Sequence, residues 1–153
     1  MLQTKKRFSL CITLLCVNLC FIWGNSLLPG EISGAISGWI RNLIAVLLGG
    51  SADGPDTGHG LLRKLAHFTE FACLGLLLCW LYGILQAKKW PLWSLLCGAA
   101  AAAVDETIQV FVPGRGPAIK DVGIDTLGVC LGIVIIYIIR KKLKSKYLEE
   151  NKL

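Results

Sequence analysis

The chain has 153 residues, 54% of them hydrophobic and 17% charged, and a formal net charge of +6. Soluble domains are about a quarter charged, so this composition excludes an ordinary water-soluble enzyme and leaves room for a small helical bundle in lipid. The positive balance is no nucleic-acid signature, because the basic residues cluster at the ends of apolar runs.

Lys5, Lys6 and Arg7 precede a nearly unbroken apolar run from about residue 8 to 28. That run is long enough to span ~30 Å of hydrocarbon. It is long for a cleavable signal peptide and no A-x-A site follows it, so the sequence predicts a retained first helix with Trp23 toward its outer end. Pro29-Gly30 ends this helix. Ile36, Trp39, Ile40, Leu43, Ile44 and Leu47 then recur at helical spacing, with Ser37, Arg41 and Asn42 largely on another face. This pattern predicts an amphipathic helix in the outer interface, with a helix packed wholly on the bundle as the alternative. Gly49 to Gly60 reads as a turn-rich loop carrying a solvated His59.

The second apolar segment runs from about residue 64 to 86, and Gln86 to Lys89 is a short basic turn. Trp90, Pro91 and Trp93 open the third segment, about 91 to 112, where Ala99–Ala103 offers a narrow face for close packing. Val112 to Lys120 forms an outer loop. The fourth segment, about 121 to 140, carries Gly128-x-x-x-Gly132, which suits contact within the bundle better than dimerisation. A basic tail, 141–153, is expected to be frayed and cytoplasmic.

This organisation predicts an all-α membrane protein of one domain. It has four transmembrane helices and an amphipathic outer interfacial helix between the first and second. Lys5, Lys6, Arg7, Lys88, Lys89, Arg140, Lys141, Lys142, Lys144, Lys146 and Lys152 fall inside, against Arg41, Arg63, Lys64, Arg115 and Lys120 outside. The positive-inside rule therefore puts both termini in the cytoplasm. All seven cysteines lie in the apolar runs without a C-x-x-C, so neither a disulfide framework nor a zinc site is expected.

With that topology, three helices offer polar residues at one level. Lys64, His67 and Glu70 open the second span; Asp105, Glu106 and Gln109 close the third; Asp121 and Asp125 open the fourth. Asp105 and Glu70 lie on the order of 10 Å below the outer helix ends. Ionisable groups at that depth are costly and mark a site or pathway, although a network that only fixes helix register remains the competing explanation for any one of them. Asp105 and Gln109 share a helix face, as do Asp121 and Asp125. Glu106 is offset by about 100° from Asp105, so one points inward while the other braces a neighbour. The catalytic candidates are His67, Glu70, Asp105, Glu106, Asp121 and Asp125, with His67 as acid–base group and Glu106 or Asp105 as its carboxylate partner. Lys64, Gln109 and Arg115 are the substrate-binding candidates, with Lys64 or Arg115 as anion clamp. For Arg115, an exposed loop charge paired with Asp121 is the plainer reading. No fixed metal spacing such as H-E-x-x-H is present, so no cofactor is assigned; a divalent ion on His67 and the carboxylates is the alternative.

The run Lys64-x-x-His67-Phe68-x-Glu70-Phe71, then Asp105-Glu106-x-x-Gln109-x-Phe111-x-Pro113-Gly114-Arg115, then Asp121-x-x-x-Asp125-x-x-Gly128-x-x-x-Gly132, resembles the VanZ-like family of small bacterial membrane proteins. The resemblance covers roughly Lys64 to Gly132 and departs from the family at Phe71, where tyrosine is common. It implies an envelope role, since the family is named for a protein associated with low-level resistance to the glycopeptide teicoplanin. The expected partners are membrane lipids, with lipid-linked cell-wall precursors or a glycopeptide, and no nucleic acid. The expected function is to act on or bind such a component. A non-catalytic shielding protein and an ion-coupled transporter are the rivals.

Overall fold

The computed structural model describes residues 2–47, 59–116 and 119–150. These residues form five helices: α1 (Leu2–Ser26), α2 (Gly30–Leu47), α3 (His59–Ile84), α4 (Trp90–Val110) and α5 (Ile119–Glu150). No strand occurs among the described residues. Three helices are long and apolar enough to cross a membrane: Leu2–Ser26, Gly60–Ile84 and Ile119–Glu149. α4 falls short of them because Asp105, Glu106 and Gln109 dilute its C-terminal third.

The burial pattern is that of a bundle built for lipid. Asp105, Glu106, Gln109 and Asp125 are buried, whereas Leu10, Phe21, Leu96, Leu131, Val134 and Ile138 are exposed. In water this arrangement would be costly; in hydrocarbon it is the expected one, because the polar groups must find partners inside the bundle.

α3 is the central helix and packs against all four others. Its seam with α5 is made by glycines. A Cβ on Gly128 or Gly132 would strike the backbone of Phe68 and Ala72 on α3, and one on Gly75 would lie 2.6 Å from the Val129 carbonyl. The Gly128-x-x-x-Gly132 face is thus an internal contact, as its spacing predicted. Gly98 makes the matching room on α4, where a Cβ would press on the Val129 side chain at 2.6 Å. The small apolar core of Cys11, Leu15, Ile22, Phe71, Leu74, Leu78, Ala102 and Val129 lies between α1, α3, α4 and α5. At the other end Arg140 ties α5 down, donating to the Cys79 carbonyl at 3.1 Å and lying over the Trp90 ring at 4.3 Å. All seven cysteines are free.

Two boundaries differ from expectation. α3 begins at His59, so His59 and Gly60 are helical and the rest of the expected loop, 49–58, lies outside the described residues. α5 does not fray at 141 but continues to Glu150. Its Lys, Arg, Leu and Glu residues are good helix formers, and each added residue extends a helix the apolar segment has already nucleated. α2 has no buried residue: Ser33, Ser37 and Arg41 are half-buried while Ile36, Trp39, Ile40 and Leu43 stay exposed.

Candidate functional site

The polar residues of α3, α4 and α5 do meet at one end of the bundle. His67 Nδ1 stands 3.6 Å from Asp105 Oδ2 and 3.8 Å from Asp125 Oδ1, joining three helices at one point. Asp105 is therefore the carboxylate beside His67. Its helical neighbour Glu106 is also buried, as a side chain that braces a neighbouring helix would be. Gln109 lies one turn further along α4 and donates from Nε2 to Asp105 Oδ2 at 2.7 Å and to Ser26 Oγ at 3.2 Å. Around these groups Arg63, Lys64, His67, Gln109, Asp121, Ile124 and Asp125 line a pocket of about 10 Å³, room for one water-sized species. Arg63 Nη2 lies 3.9 Å from Asp121 Oδ2 at its rim, and Lys64 is exposed there.

Glu70, one turn along α3 from His67, reaches α1. Its Oε1 accepts a 3.0 Å hydrogen bond from Asn25 Nδ2. Together with His67, Asn25, Ser33, Ser37, Arg63 and Arg115 it lines a second, larger groove of about 440 Å³ between α1, α2 and α3, whose other walls include Phe21, Ile36, Ile40 and Leu65. A third, almost wholly apolar groove of about 440 Å³ shares Phe21 and follows α1 and α3 past Leu14, Val17, Leu76 and Leu77.

Arg115 is not an exposed loop charge paired with Asp121; it is buried. The Pro113-Gly114-Arg115 turn explains why. Gly114 has φ +74°, a conformation that side chains resist, and a Cβ on Gly30 would collide with the Gly114 carbonyl. The backbones therefore meet directly, with Gly30 N–H donating to the Pro113 carbonyl at 3.1 Å. This docking carries Arg115 under the end of α1, where Nε donates to the Leu28 carbonyl at 3.0 Å and Nη2 to the Asn25 carbonyl at 2.6 Å. Carbonyls at a helix C-terminus lack helical donors and carry negative partial charge, so a guanidinium is a fitting cap. Burial lowers the pKa of Arg115 from its ordinary value, as does Arg63, while Asp105, Glu106 and Glu70 oppose the shift. Starting from so high a value, it remains a cation.

Asn25, Ser26 and Arg63 belong to the site although the sequence pattern does not mark them as candidates. Asn25 and Ser26 are two polar residues at the end of an apolar helix, and nothing in their spacing links them to Glu70 or Gln109.

The profile described as VanZ/LLP1 matches residues 10–140. The chain belongs to this family. No curated protein matches it, and no solved structure does. The VanZ/LLP1 match begins well before Lys64 and so takes in α1 and α2, which supply Asn25, Ser26 and two walls of the large groove. In this VanZ/LLP1 chain the Asp105–Arg115 element is one device: Gln109 lines the pocket and holds Asp105, and Arg115 fastens the loop that follows them.

Proposed function

We propose that the chain crosses the bacterial cytoplasmic membrane four times, with both termini in the cytoplasm. At the outer face it binds or acts on a lipid-linked envelope component. The observation that carries this reading is the continuity of a polar pocket with an apolar track. His67 and Arg63 line both the small pocket and the large groove, and Phe21 joins that groove to the apolar one descending between α1 and α3. An amphipathic molecule fits such a path, its anionic head beside Arg63, Lys64 and His67 and its chain along Phe21, Leu14 and Leu77.

α4 serves as the fourth crossing. Its 21 residues are about 30 Å long, and the groups that lower its hydropathy are buried in the bundle and do not meet lipid. The excess of basic residues at the termini and at Lys88–Lys89 supports the orientation. α2 rests in the outer interface with Ile36, Trp39, Ile40 and Leu43 toward lipid. If the protein catalyses a reaction, His67 with Asp105 is the acid–base pair, with Asp121, Asp125, Glu70 and Glu106 as supporting carboxylates. Precursor lipids display their heads at this face, where glycopeptides bind them, so modifying or covering those heads gives a route to teicoplanin resistance.

A non-catalytic shielding protein is the second reading. It is favoured by how many site groups are committed to their own bundle, Glu70 to Asn25, Gln109 to Ser26 and Asp105, and Arg115 to α1.

Mass spectrometry of envelope lipids and lipid-linked precursors tests both readings. Cells expressing the wild type are compared with cells expressing His67→Ala or Glu106→Gln at matched protein levels, and with Ala66→Trp, which fills the large groove. A mass change confined to the wild type means catalysis. Unaltered masses with a lipid that co-purifies with the wild type and is lost from Ala66→Trp mean binding. Unaltered masses and no specific lipid on the wild type refute the proposal.

A further inference from the structure

The meeting point of His67, Asp105 and Asp125 has a geometry that direct hydrogen bonds do not account for. His67 Nδ1 is 3.6 Å from one carboxylate oxygen and 3.8 Å from the other, beyond the ~2.9 Å of an N–H···O bond. A ligand atom from each residue lies within 4.8 Å of the other two. Asp125 is 2% exposed, yet its Oδ1, the atom that faces His67, has no hydrogen-bond partner among the described residues, and the same is true of Oδ1 on the fully buried Asp105. Two carboxylates turned toward one imidazole, with buried oxygens left over, form a costly arrangement unless something else satisfies them.

We propose that His67, Asp105 and Asp125 bind one first-row divalent cation, of the Mn²⁺ or Zn²⁺ kind. With metal–ligand bonds of ~2.1 Å, ligand atoms at the corners of a tetrahedron stand ~3.4 Å apart. The 3.6 and 3.8 Å separations from the imidazole require only a few tenths of an ångström of contraction, and the two carboxylate oxygens, within 4.8 Å of each other, would close on the ion from two helices. One imidazole with two carboxylates is a donor set that suits Mn²⁺ and Zn²⁺, whereas Mg²⁺ and Ca²⁺ prefer all-oxygen cages. The outer shell is already built. Gln109 Nε2 holds Asp105 Oδ2 at 2.7 Å and is itself fixed by Ser26, the kind of support that orients ligating carboxylates. The adjoining pocket of about 10 Å³ has room for one further small ligand, such as water. Because His67 also lines the large groove, the ion would offer a Lewis acid to an anionic group reaching the pocket from there. The binding claim does not depend on that groove holding a lipid.

The test uses the full chain purified in detergent and stripped with chelator. Mn²⁺ is titrated by loss of the free-ion paramagnetic resonance signal. Zn²⁺ is measured by elemental analysis after gel filtration, and Mg²⁺ and Ca²⁺ serve as competitors. The expected result is one saturable ion per chain, at least tenfold weaker in Asp125→Asn and in His67→Gln. A Glu149→Gln control, on the distal end of α5, binds like the wild type. Both site variants are checked for a monodisperse gel-filtration peak, and if either misfolds the other decides. The proposal is overturned by no saturable ion on folded wild type, by unweakened binding in a folded site variant, or by Mg²⁺ or Ca²⁺ competing on equal terms.

Discussion

Removing Arg115 should loosen the bundle, and the size of the effect follows from its two bonds. Arg115→Ala deletes donors to the Asn25 and Leu28 carbonyls at 2.6 and 3.0 Å and leaves the end of α1 uncapped. Hydrogen bonds from a charged donor are worth about 1.5–3 kcal/mol each. Water reaching the freed carbonyls recovers part of this, so a loss of roughly 3–5 kcal/mol is expected. At about 2–4 °C per kcal/mol for a chain of this size, the melting temperature should fall by roughly 6–20 °C. Arg115→Lys keeps the charge but cannot fork across two carbonyls, so it should recover less than half. The assay is thermal unfolding in detergent, followed by circular dichroism and by the fraction remaining monodisperse after heating. If Arg115→Ala melts within about 2 °C of the wild type, the capping argument is wrong. Arg115 would then act on a ligand, as an anion clamp reading of its sequence context suggested.

Replacing Gly132 with leucine should force α3 and α5 apart, because even a Cβ there would lie 2.5 Å from the Ala72 carbonyl. Overpacking costs ~1–3 kcal/mol or more, read as reduced monodisperse yield and lower melting temperature; an unchanged protein would refute the backbone-contact seam. Topology is checked in a cysteine-depleted background. Lys120→Cys should react with an impermeant maleimide on intact cells and Lys88→Cys only after permeabilisation. The reverse pattern, or both labelling alike, would remove the four-span orientation.

Much of the molecule was legible in local sequence. Runs such as Phe8–Leu28 and Asp121–Arg140 announce helices because only a helix satisfies its own backbone in lipid. The Gly128-x-x-x-Gly132 spacing announced a close seam because i and i+4 share a helix face. His67, Asp105 and Asp125 could be placed at one end by counting residues along helices of alternating direction. The clustering of His67, Asp105 and Asp125 is then a consequence of topology.

Local pattern could not decide partners far apart in the chain. Asn25 meets Glu70 and Ser26 meets Gln109 only because α1 packs beside α3 and α4. Arg115 looked like a loop cation, but its fate hangs on Gly114 approaching Gly30 closely enough to bring the guanidinium under α1. Nor could periodicity choose between Glu106 and Asp105 as the neighbour of His67, since either is accessible until the rotation of α4 is fixed. Composition and hydrophobic period set which segments are helices and which end carries charge, because those depend on each residue's own exchange between water and lipid. Which polar groups face one another depends on helix rotation and on distances of an ångström or less, and those are set by the packing of α3 against its neighbours.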